Sequence, residues 1–289
     1  MKLAKYWARS EGESTDRKGR IIRAVARGWS NESMEAARAV ARDIAQRLAQ
    51  GNFPTRGPQY LYGDRPLPEP VLREFQGKGD GPRAIVTRNV YGAEVLNTRN
   101  LMFVDIDKPY HPPAPIPSIV KMGIRALFGK SAPAPPVQTD DPAMTKIRGV
   151  AERNNLAGRV YKTAGGYRVL ITSTGFTPGD PWSEDLLRQF AADALYIRLC
   201  RMQESFRARL TPKPWRCGLP NPPVKFPFET LQDQSRFDIW ERTYAVTGER
   251  FRTCQYMASF GSGSVAPGFE ELIQFHDRET KTASVLPLA

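Results

Sequence analysis

The chain has 289 residues, 40% hydrophobic and 25% charged, an ordinary globular composition with room for one large domain or two modest ones. No apolar run approaches the roughly 18 residues of a membrane span. The N-terminus lacks an apolar signal-peptide core, and Cys200, Cys217 and Cys254 match neither a zinc spacing nor a disulfide framework, so a cytoplasmic protein is expected. Lys and Arg number 42 against 30 Asp and Glu, a formal net charge of +12 that favours polyanionic partners: nucleic acid, nucleotides or an anionic surface. With two histidines, His111 and His276, a His-rich metal site is excluded.

From the N-terminus, "LAKYWARSE" and "RIIRAVARGW" flank the polar turn "GESTDRKG" and predict a β-hairpin. A helix follows, with capping expected at Ser30 and Asn31 and closure at Gly51. Its apolar stripe of Met34, Ala37, Val40, Ala41, Ile44, Ala45 and Leu48 is Ala-rich, which predicts close packing on a sheet. Residues 1–52 thus form an N-terminal hairpin-plus-helix unit. Residues 52–82 are rich in Gly, Pro and Arg and read as irregular, with a short helix around "EPVLREFQ".

An α+β core is expected over 83–289. "PRAIVTRNVYG", "AEVLNT" and "NLMFVDID" are β-like. The Pro tracts "PYHPPAPIPS" and "SAPAPPVQTDDP" mark 109–142 as a mobile or polyproline-like insertion, because Pro cannot join a sheet ladder. The basic-apolar piece between them reads either as a surface flap or as an amphipathic helix contacting a partner or a membrane. Beyond it come a helix in "DPAMTKIRGVAERNN", strands "GRVYKTA" and "YRVLITS" about a Gly165-Gly166 turn, and one long helix in "PWSEDLLRQFAADALYIRLCRMQ". A strand in "SFRARLTPKPWRCG", a helix in "DQSRFDIWERTYAVTG", a strand in "TCQYMASFGSG" and a closing helix after Pro267 complete the order. Strands joined by short turns predict a mostly antiparallel sheet with flanking helices.

Three constellations carry chemistry. Asp105 and Asp107 sit at i and i+2 of a strand, so both carboxylates leave one face and Ile106 the other. Such a pair holds Mg²⁺ or Mn²⁺, which take oxygen ligands, or it marks a solvated strand end. In "YKTAGGYRV", Thr163, Gly165 and Gly166 form either a plain hairpin turn or one open enough for an anion, with Arg168 behind it and Tyr161 and Tyr167 as aromatic faces. In "RMQESFRARLTPKPWRCG", Arg207 and Arg209 share one strand face, Lys213 and Arg216 follow, and Phe206 and Trp215 are interleaved. Guanidinium forks suit phosphate and aromatics stack on bases, although a solvated basic face has the same composition.

In this order "MFVDID", "TAGGYRV" and "FRARLTPKPWRCG" resemble motifs of the archaeo-eukaryotic primase-polymerase superfamily. The resemblance implies an RRM-like or primase-like core, with Asp105 and Asp107 as catalytic metal ligands. It also implies nucleotide phosphate at Thr163 to Arg168, and triphosphate or template on 207–216. Arg168 stands where that family has His, and its third acid has no counterpart on a strand, Asp238 and Asp277 both falling on predicted helices. "FRARLTPKPWRCG", with "KYWARS" and "YIRLC", also resembles a bacterial family of uncharacterised activity over most of the chain. Three functions remain open: a Mg- or Mn-dependent nucleotidyltransferase acting on nucleic acid or nucleotides, a non-catalytic protein binding nucleic acid or a partner, or an interaction subunit that works through the Pro-rich insertion 109–142.

Overall fold

The computed structural model describes residues 1–16, 18–51, 66–77, 79, 81–107 and 141–289. The expected insertion at 109–142, and the partner surface it was read to carry, lie outside the described residues up to 140.

Strands β1 (Tyr6–Thr15) and β2 (Ile21–Ser30) pair antiparallel as the hairpin, and α1 (Met34–Ala49) covers one side of it. The helix is capped by Ser33, whose hydroxyl accepts from the Ala36 amide at 3.0 Å, rather than by Ser30 or Asn31. Ala37, Ala41, Ala45 and Ala49 are its buried stripe. Two strand glycines let it approach. A Cβ on Gly28 would stand 2.2 Å from the Ala41 nitrogen, and one on Gly12 would stand 2.4 Å from the Ala45 carbonyl carbon. Small residues on both sides bring backbone to backbone, as the Ala-rich stripe predicts.

Among the described residues, two four-stranded antiparallel sheets follow, so the α+β class holds. One has the order β3 (Val71–Gln76), β4 (Pro82–Arg88), β5 (Glu94–Thr98), β9 (Phe206–Arg209). The other runs β10 (Cys254–Phe260), β7 (Gly158–Thr163), β8 (Gly166–Ile171), β6 (Phe103–Asp107). One apolar cluster unites them, with Phe103, Leu170 and Phe206 at its centre. It takes in α2 (Pro142–Arg153), α3 (Pro181–Gln189), α4 (Ala194–Gln203) and α6 (Glu270–Glu279) through Ile147, Leu186, Ile197 and Leu272. Strand β8 is buried along its whole length, as a central strand covered on both faces must be. Helix α5 (Leu231–Gly248) packs Phe237, Trp240 and Tyr244 into a satellite cluster.

Two expectations fail locally. "EPVLREFQ" is no helix: Val71–Gln76 is an edge strand of the core, paired to β4 with Phe75 buried on Phe275, so tertiary pairing outweighs its local composition. The long helix predicted after Pro181 is two helices. Ala191 turns to a φ of 59°, and Asp193 caps α4 by accepting from the Tyr196 amide at 2.9 Å. A side-chain acceptor that close to the backbone competes with a continuous helix.

The junction between the sheets positions the site. Strand β6 lies beside β9, and its outer edge meets the cap and first turn of α4 at Asp193 and Tyr196. The Asp193 amide donates to the Asp105 carbonyl at 3.1 Å, and the Tyr196 hydroxyl donates to the Phe103 carbonyl at 2.7 Å while accepting from the Arg207 amide at 3.3 Å. An exposed edge strand is thereby capped, and β6 is held in register with β9.

Candidate phosphate and metal site

Strand geometry carries Asp105 and Asp107 to one end of β6, Asp105 half-buried and Asp107 at the exposed tip. Cross-strand, Asp105 faces Arg168 and Asp107 faces Gly166. The turn between β7 and β8 is Ala164-Gly165, with Gly166 already on β8, one residue earlier than expected. Thr163 is buried and its hydroxyl accepts from the Gly166 amide at 3.0 Å, so both serve the turn itself rather than an anion. Gly165 matters through its missing side chain: a Cβ there would lie 3.2 Å from Arg216 Nη2 and 3.4 Å from Asp107 Oδ1. The three stretches picked out in the sequence therefore meet at this glycine.

Beside it a cavity of about 280 Å³ opens, walled by Asp105, Arg168, Arg207, Arg209 and Lys213, with Glu69, Tyr91, Val95, Tyr196 and Leu199 completing its sides. A broader, more open hollow of about 660 Å³ near Asn154, Ser173 and Ser264 includes none of the predicted site residues. Arg207 and Arg209 share a face of β9, as expected, opposite Asn97 and Val95.

The guanidiniums are not equivalent. Arg207 is buried against Glu69, its Nη2 at 2.8 and 2.9 Å from the two carboxylate oxygens, so it is neutralised and is no phosphate clamp. Arg168 is 2% exposed and donates through Nη1 to the Arg209 carbonyl at 2.8 Å, the Cys254 sulfur at 3.4 Å and His276 Nε2 at 3.2 Å. Arg209, Lys213 and Arg216 have no ion pair among the described residues, and Arg209 Nε and Arg216 Nη1 are buried without a hydrogen-bond partner there. A buried donor without an acceptor costs about 1–3 kcal/mol, more when charged, so these atoms call for a guest.

Burial first, and like charges second, act on both walls. Burial, then repulsion from Arg168, lowers Arg209 to about 10, Asp105 opposing. Burial, Arg209 and Arg216 lower Lys213 against the pull of Asp107 and Asp105. Asp107 is raised by burial, then by Asp105 and Asp193, with Lys213 and Arg216 opposing. Cations crowded enough to lose affinity for protons favour an anionic ligand, and a raised carboxyl beside two others favours a cation.

Other expectations are corrected here. Tyr161, Tyr167 and Phe206 are buried in the core and offer no face to a base, whereas Trp215 is exposed on the 3-10 turn Pro214–Cys217. Asp277 pairs with Arg159 at 2.7 Å and His276 at 2.9 Å, and Asp238 is exposed on α5, so neither joins the pair on β6. The third acid near the pair is Asp193, missed because its segment read as continuous helix. Its carboxylate also caps α4, and among the described residues no group of three or more His, Cys, Asp and Glu is arranged to hold a metal ion. Among the described residues, too, no helix is long and apolar enough to cross a membrane. No protein-family model matches the chain, and neither the curated proteins nor the solved structures contain a match.

Proposed function

We propose that the protein binds a nucleotide polyphosphate together with a divalent cation, and that it is a Mg- or Mn-dependent nucleotidyltransferase acting on nucleotides or nucleic acid. The observation that carries this reading is the meeting of Asp107 Oδ1 and Arg216 Nη2 over Gly165, a carboxylate wall on one side and an under-compensated cationic wall on the other. A lone anion would suit the second wall and a lone cation the first; a metal-bound polyphosphate suits both.

The donor set fits the metal. Mg²⁺ keeps waters and is held by one or two carboxylates plus substrate phosphates, so Asp105 and Asp107 suffice without a third protein ligand. Bound there, the ion would lower the pKa of a terminal hydroxyl and polarise the phosphate. Arg209, Lys213 and Arg216 would neutralise the phosphates, and Gly165 leaves room for them next to the acids. In the transfer, the hydroxyl would give up its proton to solvent as its oxygen bonds to the α-phosphorus and the bond to pyrophosphate breaks, and these three cations would offset the charge building on the leaving oxygens.

The test is nucleotide incorporation on primed and unprimed DNA with Mn²⁺, together with Mn²⁺ binding followed by electron paramagnetic resonance. Asp105→Ala/Asp107→Ala is expected to abolish both; unchanged activity in this variant would remove the metal role. A second reading has one observation in its favour: Arg168, where the resembling family has His, is tied into three hydrogen bonds inside the core. On that reading the site binds nucleic acid without turnover. Salt-dependent DNA binding with no incorporation and no effect of Mn²⁺ would select it.

A further inference from the structure

The cavity behind the phosphate-binding wall has features that phosphates do not use. Resting on the nucleotide reading above, we infer that it seats the base, with Tyr91 and Trp215 as a stacking platform at its mouth and Arg207 as the donor to the edge of the ring.

Tyr91 is 45% exposed and Trp215 47% exposed, yet both stand in rigid turns. The β4–β5 turn is tied by the Asn89 side chain, which accepts from the Tyr91 and Ala93 amides at 3.0 and 3.1 Å. Trp215 sits on the 3-10 turn Pro214–Cys217, closed by Gly218 at φ 77°. The two rings meet edge-to-face with centroids 5.3 Å apart, and the Lys213 ammonium lies 5.3 Å over the indole. Lys213 also lines the cavity, so platform and phosphate wall are adjacent. Rigid aromatics at the rim of a charged cavity give a planar ring a stacking surface at little entropic cost.

Arg207, which lines the cavity, is 8% exposed, and among the described residues its Nη1 has no hydrogen-bond partner, while Nη2 is held by Glu69. A guanidinium already neutralised by a buried carboxylate has little to offer a phosphate. It still presents a fixed N–H, which suits an uncharged acceptor such as a base carbonyl or ring nitrogen. Val95 and Leu199 make the walls between partly apolar, and about 280 Å³ admits one small ligand moiety.

The experiment is calorimetric titration of the full chain, in Mg²⁺, with inorganic tripolyphosphate and separately with the four nucleoside triphosphates. It is run on wild type, Tyr91→Ala and Trp215→Ala, whose exposed side chains leave the core intact. Wild type is expected to bind at least one nucleotide about 10-fold or more tightly than tripolyphosphate, and each variant to lose most of that margin while holding tripolyphosphate as wild type does. Nucleotides bound no more tightly than tripolyphosphate, or variants that weaken both ligands equally, would overturn the base pocket and leave the phosphate site standing. Binding of neither ligand would overturn the phosphate site and the base pocket with it.

Discussion

The Glu69–Arg207 pair gives the most quantitative prediction. Both side chains are about 5% exposed, with one guanidinium nitrogen 2.8 and 2.9 Å from the two carboxylate oxygens. Thr87 donates its hydroxyl to the same carboxylate and accepts from the Asn97 amide at 2.9 Å. Glu69→Ala leaves the Arg207 charge without a counter-ion inside the sheet and takes the acceptor from Thr87. Removing one member of a buried pair costs about 3–5 kcal/mol, chiefly as the uncompensated desolvation of the other. That is roughly a 10²- to 10⁴-fold shift in the folding equilibrium. The net attraction of the pair is far smaller, so Glu69→Leu/Arg207→Met, which removes both charges, should recover most of the loss. The assay is urea unfolding followed by tryptophan fluorescence: a lower midpoint at constant slope for the single variant, and a midpoint near wild type for the double. A single variant within about 1 kcal/mol of wild type, or a double variant no better than the single, would refute the reasoning.

Three further outcomes are expected. Burial and Arg168 hold His276 at about 4, below its ordinary 6.5, because Arg168 can only donate, leaving Nε2 to accept while Nδ1 donates to Asp277. The unfolded chain therefore takes the proton first, and the stability present above pH 6.5 declines by about 3 kcal/mol as pH falls to 4. His276→Gln should flatten that window in urea midpoints taken from pH 7 to 4.5, and an equally steep decline in the variant would refute it. Asp107→Asn relieves a carboxyl raised by burial and then by Asp105 and Asp193, so its midpoint at pH 7 should not fall although Mn²⁺ binding is lost; a clear drop would mean the carboxylate is structural. Gly28→Ala drives a Cβ to 2.2 Å from the Ala41 nitrogen and should cost about 1–3 kcal/mol, read as faster proteolysis within residues 1–51. Unchanged proteolysis would mean that α1 does not pack on the hairpin at that distance.

Much of the architecture was legible from local pattern. Period-2 and period-3.6 apolar spacing located the N-terminal hairpin, its Ala-faced helix and the strands from 83 onward, because side-chain periodicity depends only on the local backbone. Strand alternation likewise placed Asp105 and Asp107 on one face, and Arg207 and Arg209 on another. Local pattern failed at β3, whose identity comes from the β4 strand beside it, and at Asp193, whose cap breaks a helix that composition alone would continue.

By itself, then, the sequence determined which residue types sit on which strand faces, along with the excess of positive charge. Tertiary structure alone decided what each charge is for. Arg207 looks like Arg209 in sequence, yet it faces Glu69, 138 residues away, and is neutralised, while Arg209 has no ion pair among the described residues. Tyr167 and Trp215 are both aromatics beside basic residues, yet one is core and the other stands exposed beside Tyr91 at the rim of the cavity. The physical reason is that a charge or a ring takes its energy from what surrounds it in space, and those neighbours are brought together by pairings between strands far apart in the chain.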